Sequence, residues 1–206
     1  NPIVQDNLKK LEHYGYEVIQ PAVGLLACKD VGQGKMPEPE TLLEYILQEV
    51  AYEKDLKGKK ILVTAGPTQE PIDPVRYLTN HSSGKMGYAI AKVCSMRGAE
   101  VTLVSGKTAI KPPLFVDVVP VTTAREMYEA VTGRSDRQDI VIKAAAVADY
   151  RPKTISEQKV KKTDGELSIE MERTDDILKY LGQHKKDGQF LCGFSMETQN
   201  MIGNSR

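Results

Sequence analysis

An α/β fold with a mostly parallel sheet and helices on both faces is predicted by three observations. The first is a change of period across residues 59–98. Ile61, Leu62 and Val63 follow Lys59-Lys60 as a short run that ends at Gly66, which reads as a buried strand. From Met86 the apolar residues recur at helical spacing, with Met86, Ala89, Ile90 and Val93 on one predicted face. Ser82 or Ser83 stands where a cap belongs, and Gly98 where the helix should end. The second is residues 100–106 (EVTLVSG), a further strand. The third is residues 139–147 (DIVIKAAAV), nearly continuously apolar, as a strand covered on both faces must be. Strand, loop, helix and strand in this order open a Rossmann-like nucleotide-binding unit.

From the N-terminus, residues 6–14 read as the end of a helix and 16–20 (YEVIQ) as a strand. Residues 21–40 are rich in glycine and proline and predict a loop, a candidate flap over a site. Pro39 and Glu40 open an amphipathic helix with Leu42, Leu43, Ile46, Leu47 and Val50 on its apolar side. The charged stretch 53–60 reads as a linker. Roughly 55 residues with one helix and one strand bury too little to stand alone. The expectation is therefore the tail of one domain at 1–56 and a second domain at 57–206, incomplete at its C-terminus.

The loop before the first long helix is unusual. Between Gly66 and Gly84 lie 17 residues, among them Pro67, Pro71 and Pro74. A loop this long in a compact domain is functional or disordered, and the prolines predict a shaped one. It lacks the short G-x-G-x-x-G turn of dinucleotide sites. Its end, Asn80-His81-Ser82-Ser83-Gly84-Lys85, brings polar groups and backbone N–H groups to a helix N-terminus, a natural anion site. A plain capped helix after a surface loop is the alternative. Gly84-Lys85 does not complete a P-loop, because position 79 is Thr where that motif needs Gly and position 86 is Met where it needs a hydroxyl.

Residues 115–121 predict a third strand, and Thr122 or Thr123 caps a helix over 124–133 with Glu126 near its start. Ala148-Asp149-Tyr150-Arg151-Pro152 follows the apolar strand. Ligands in open α/β sheets sit beyond strand carboxyl ends, so Asp149 is a candidate, although a turn before a proline also explains it. Lys159, Lys161 and Lys162 either neutralise phosphates or form a solvated turn. Residues 167–171 alternate as a strand, Thr174-Asp175-Asp176 cap a helix over 177–181, and 190–194 (FLCGF) form another buried strand. The end, 198–206, is polar and carries no stop signal.

Lys+Arg and Asp+Glu balance at 28 each, which argues against nucleic acid or an anionic membrane as the main partner. Cys28, Cys94 and Cys192 lie far apart without a C-x-x-C, which predicts a reducing, cytoplasmic setting and no structural zinc. No apolar run approaches the roughly 18 residues of a membrane span.

Residues 66–87 (GPTQEPIDPVRYLTNHSSGKMG) resemble the signature of the phosphopantothenoylcysteine synthetase (phosphopantothenate–cysteine ligase) family. AAAVADYRP at 144–152, QKVKK at 158–162 and GFSMET at 193–198 resemble its later motifs in order and spacing, so the likeness covers about 58–206. NPIVQDNL and GLLACKDVGQGKMPEPE resemble the end of the flavin-dependent phosphopantothenoylcysteine decarboxylase, which makes 1–56 a partial flavoprotein-domain tail. Bacteria commonly fuse the two activities.

The resemblance implies a reaction. CTP activates the carboxylate of 4′-phosphopantothenate, an acyl-cytidylate and pyrophosphate form, and the amine of cysteine then displaces CMP. It also implies roles. Asn80 engages the activated acyl group, and Lys159 is the cation at the phosphates. Ala146, Asp149, Asp175 and Phe194 line the CTP pocket, with Asp176, Ile177 and Leu178 on the cytosine side. Ser82, Ser83 and Gly84 fit an anion cradle. Mg2+ (or Mn2+) accompanies the triphosphate, with ligands unassigned. The decarboxylase part implies FMN, its site largely outside this chain, and Cys28 as the acid that protonates an enethiolate. The implied partners are 4′-phosphopantothenate, cysteine, CTP and a second copy, as a homodimer of ligase domains within a larger homo-oligomer. The chain departs from the family at Lys29 and Lys35, where Gly and Arg are usual, and at Thr174-Asp175, where Asn-Pro is usual.

Two rival readings differ in class. A nicotinamide- or flavin-dependent oxidoreductase needs G-x-G-x-x-G and an acidic residue at the end of 100–106, and both are missing. A non-catalytic nucleotide-binding module needs neither Asn80 nor Lys159.

Overall fold

Asn1 begins the first helix: its side-chain oxygen accepts from the Ile3 N–H at 3.0 Å, and Pro2 fills the first turn, where a missing N–H is harmless. The computed structural model describes residues 1–162, 166–200 and 203; the rest of the polar end lies outside the described residues. The chain divides into two units, 1–49 and 50–206. The first holds α1 (Pro2–His13), β1 (Ala22–Leu25), β2 (Val31–Lys35) and all but the last residue of α2 (Pro39–Val50).

Residues 16–20, expected as a strand, are irregular. The strands lie instead inside 21–40, where β1 and β2 pair antiparallel. Glycines mask them, because glycine in a strand reads as loop. A side chain on Gly24 would meet that of Lys35 at 3.2 Å, so the glycine leaves room for the Lys35 side chain. The turn closes with Leu26 N–H to Asp30 O at 2.8 Å, and Lys29 takes a left-handed φ of 69°. Among the described residues of this unit none is buried.

Residues 53–60, expected as a linker, pack on the second unit. Leu56 lies against its core, Lys54 Nζ donates to Met96 O at 2.8 Å, and Asp55 pairs with Arg97. From there the chain runs β3 (Lys60–Ala65), β4 (Gln69–Pro71), β5 (Tyr77–Thr79), α3 (Lys85–Met96), β6 (Glu100–Ser105), β7 (Asp117–Pro120), α4 (Ala124–Ser135), β8 (Ile140–Lys143), β9 (Tyr150–Pro152), β10 (Met171–Arg173), α5 (Ile177–His184) and β11 (Phe190–Gly193).

The central sheet has five strands in the order β11-β8-β3-β6-β7, all parallel. Strand alternation divides the core in two. Ile61, Val63, Ala65, Val101 and Leu103 face α3 through Tyr88, Ala91 and Cys94. Leu62, Val104 and Val141 face α4 and α5 through Met127, Val131, Ile177 and Leu181. Helices thus cover both faces, as the sequence predicts, and each fully buried aliphatic side chain contributes about 1.5–3 kcal/mol. Winding runs outward from β3 through β6 to β7, then restarts on its other side at β8. That reversal places a topological switch point at the carboxyl ends of β3 and β8.

Three elements differ from expectation. Helix α3 buries Gly87, Tyr88, Ala91 and Cys94 rather than the predicted face; Met86 and Ala89 are exposed. Gly87 is the reason: a Cβ there would lie 2.6 Å from that of Ala65, so the helix rests its glycine on β3 and turns Met86 outward. Strand β8 stops at Lys143 rather than 147, because the Thr64 hydroxyl accepts from the Ala144 and Ala145 N–H groups, both at 3.2 Å. The strand expected at 167–171 lies at β10, paired antiparallel with β9.

Candidate active site

Beyond the sheet, the segments leaving β3 and β8 stay joined. Ala146 N–H donates to Gly66 O at 2.9 Å, and Ala148 N–H to the Thr68 hydroxyl at 3.0 Å. The 17-residue loop is a hairpin, with β4 and β5 paired antiparallel. Its buried Glu70 accepts from Ala124 N–H at 2.8 Å, at the positive end of α4, which anchors the hairpin beside the switch point.

The hairpin tip is Asp73-Pro74-Val75-Arg76, with Asp and Pro where a type I turn wants them. Buried Asp73 accepts from the Val75 and Arg76 N–H groups, both at 2.8 Å, and from Val160 N–H at 3.1 Å. Arg76 donates to Asp73 and to Val160 O at 2.6 Å. One ion pair therefore ties the tip to the turn that carries Lys159. The Arg76 guanidinium, helped by the three backbone N–H groups, holds the Asp73 carboxyl well below the usual carboxylate range. A depressed native value stabilises the fold fully above the unfolded value of about 4, and that stability fades as pH falls toward the native value. Asp73→Asn should thus lower urea-unfolding stability at neutral pH, and its gap from the parent should shrink only below about pH 4. A gap that ignores acidification would remove the ion pair from the account.

A cavity of about 790 Å³ opens beyond β8, lined among others by Lys143, Asp149, Asp175, Asp176, Ile177 and Leu178. Thr174 holds its walls together: its N–H donates to Asp149 O at 2.9 Å and its hydroxyl to Ala148 O at 2.6 Å. Asp176 caps α5, accepting from Lys179 N–H at 2.9 Å, as predicted from its place before Ile177. Asn80 Nδ2 donates to Val147 O at 3.1 Å, and Val147 also lines the cavity. Ala146 sits on the same strip, 3.5 Å from Asn80 Nδ2.

Other expected residues stand apart from that lining. Phe194 is exposed; its N–H donates to Lys143 O at 3.2 Å, and Leu178 packs over the neighbouring Gly193. Lys159 is exposed on its turn. Gly84, not Ser82 or Ser83, is the cap of α3, with φ 75°. The serine hydroxyls instead accept from Gly84 N–H at 3.3 Å and Lys85 N–H at 3.4 Å. A Cβ on Gly84 would lie 3.2 Å from Gly66 N, so only glycine allows the helix to start this close to β3. Cys28 belongs to the first unit, exposed at the β1–β2 turn, with its thiol donating to Asp30 at 3.8 Å.

Residues 56–206 match the family described as DNA/pantothenate metabolism flavoprotein C-terminal domain. The chain belongs to this family. Residues 1–51 match the Flavoprotein family. The coenzyme A biosynthesis bifunctional protein CoaBC of Bacillus subtilis is 47% identical over 204 residues, covering 98% of this chain and 50% of that protein. Its counterpart from Escherichia coli is 45% identical over 200 residues, covering 96% and 49%. The crystal structure of the C-terminal domain of a CoaBC bifunctional protein matches with a TM-score of 0.63 at 56% identity, over 72% of this chain and 70% of that one. The chain spans about half the length of the curated relatives it matches.

Two parts of this DNA/pantothenate metabolism flavoprotein fold escaped sequence reasoning. Lys143 ends β8 and lines the cavity; burial pushes its ammonium below the usual lysine value, while Asp176 and Asp149 oppose the shift. A lone charge closing the apolar run IVIK was its only signal. Thr108 fills the niche between the glycines, its methyl 2.9 Å and 2.7 Å from where Cβ atoms of Gly66 and Gly84 would stand. Its hydroxyl donates to that of Tyr88 at 3.0 Å. The space beside this glycine turn is therefore occupied by a side chain, which fits the missing dinucleotide motif.

Proposed function

We propose that the second unit is a CTP-dependent phosphopantothenate–cysteine ligase, which acts in coenzyme A biosynthesis and is joined to a decarboxylase that converts its product to 4′-phosphopantetheine. The supporting observation is the switch-point cavity, with Asn80 held against the Val147 carbonyl at its edge. A carboxylate and a triphosphate must approach each other, so the reaction needs positive charge and fixed donors more than a strong base. Lys159 supplies the charge. Asn80 Nδ2 donates to Val147 O and, at a longer distance, to Ala146 O, which leaves Oδ1 to hold the acyl group for attack. Asp149, Asp175, Asp176, Ile177 and Leu178 enclose the nucleoside, and Ser82, Ser83 and Gly84 face its phosphates.

Among the described residues no three acidic, histidine or cysteine side chains converge on a metal site. Mg2+ (or Mn2+) fits this reading as the ion of the triphosphate, held by phosphates and at most one or two carboxylates. Residues 1–49 do not by themselves fit a flavin, whose ring needs enclosing walls, since none of their described side chains is buried. The decarboxylase part is proposed to use FMN, with the flavin site largely outside this chain. Among the described residues no helix is long and apolar enough to cross a membrane. We place the enzyme in the cytoplasm, as a homodimer of ligase domains within a larger homo-oligomer.

Titration of the protein with CTP, ATP and NADPH tests the reading against its rivals. CTP should bind best, and preferential NADPH binding would favour an oxidoreductase. Cys28→Ser, in the full-length protein, should stop decarboxylation and leave amide synthesis intact. Equal loss of both activities would make the thiol structural.

A further inference from the structure

The cavity contains a cation that the ligase reading leaves unused. Lys143 is the last residue of β8 and, by strand alternation, shares the face of Val141, which points toward α4 and α5. Its side chain accordingly lines the cavity together with Asp149, Asp175 and Asp176. These carboxylates come from two segments, one after β8 and one at the start of α5. No hydrogen bond or close ion pair engages the Lys143 ammonium among the described residues, so its donors remain available to a ligand.

The lining pairs a group that only donates with groups that, when ionised, only accept. Cytosine offers the matching edge: a ring carbonyl and ring nitrogen accept, and the exocyclic amine beside them donates. Uracil carries a carbonyl in place of that amine and an N–H in place of the bare ring nitrogen, so lone pairs would face a carboxylate and a donor would face the ammonium. Adenine keeps an amine but lacks the ring carbonyl. We propose that Lys143 is a specificity-determining residue, which donates to the ring nitrogen and the adjoining ring carbonyl of cytosine while a neighbouring carboxylate accepts from the amine, so that the cavity selects cytosine nucleotides over uracil and adenine nucleotides. This rests on the nucleotide-binding reading above.

The test is equilibrium binding of CTP, CMP, UTP and ATP to the full-length parent, Lys143→Met and Lys143→Arg. Methionine keeps the aliphatic stem and removes the donors; arginine keeps the charge. A hydrogen bond to a charged group is worth about 10- to 100-fold in affinity. Lys143→Met should lose about that much for CTP and equally for CMP, while UTP and ATP change little. Lys143→Arg, which also serves if the methionine variant does not fold, should retain the preference for CTP over UTP. An unchanged ratio of CTP to UTP affinity in Lys143→Met would overturn the assignment. So would a loss confined to CTP, which would put the lysine at the phosphates. A parent that binds neither CTP nor CMP would instead overturn the ligase reading and this inference with it.

Discussion

Lys159→Gln should lower the rate of amide synthesis by about 10²–10³-fold, the usual effect of losing one preorganised group that stabilises developing charge. Folding should barely change. Lys159 is exposed, and the turn beneath it is held by Asp73 and Arg76 through the backbone of Val160 rather than by the lysine itself. The loss should appear in kcat more than in CTP affinity, because Ser82–Gly84 and the cavity lining remain. Steady-state kinetics with thermal unfolding as control measures both. Near-parent activity would return Lys159 to the solvated-turn reading.

Asn80→Asp should be the second severe change, and worse than Asn80→Ala. Aspartate has nearly the same shape but no N–H, so it cannot donate to Val147 O and sets a negative charge against that carbonyl and beside anionic substrates. Alanine removes the donors without adding charge. Asn80 is exposed, so both variants should fold, and both should still bind CTP. The attack of cysteine should suffer most, and acyl-cytidylate should accumulate or leak from Asn80→Asp. Mass spectrometry of a quenched reaction reads this directly. Normal product formation would remove Asn80 from the mechanism, and loss of CTP binding would move it to the nucleotide site.

Features decided by neighbours in the chain were legible in the sequence. The apolar run Ile61-Leu62-Val63 is β3, Thr123 and Glu126 form the capping box of α4, and Asp176 caps α5. Features decided across the fold were not. The buried face of α3 depends on Gly87 meeting Ala65, and a glycine adds nothing to an apolar pattern. Strand β8 ends early because of a hydroxyl on Thr64, which belongs to another strand. The pairing of β4 with β5 was hidden by prolines that read as loop, although Pro71 sits within β4 itself. The candidate site divides in the same way. Asp149, Asp175 and Asp176 stood out by their places after a strand and before a helix, and the fold brings them into one cavity. Lys143 went unseen because the carboxylates around it lie in other segments, and the Asp73–Arg76 clamp because the Val160 backbone that it holds is far away in the chain.

The most direct test mixes the full-length protein with CTP and 4′-phosphopantothenate, without cysteine, and examines the quenched products by mass spectrometry. A ligase of the proposed kind forms the acyl-cytidylate and releases pyrophosphate; adding cysteine then yields CMP and the amide. Release of CDP and inorganic phosphate, or no reaction of the nucleotide until cysteine is present, would contradict the acyl-cytidylate on which the assignment of Asn80 and Lys159 depends.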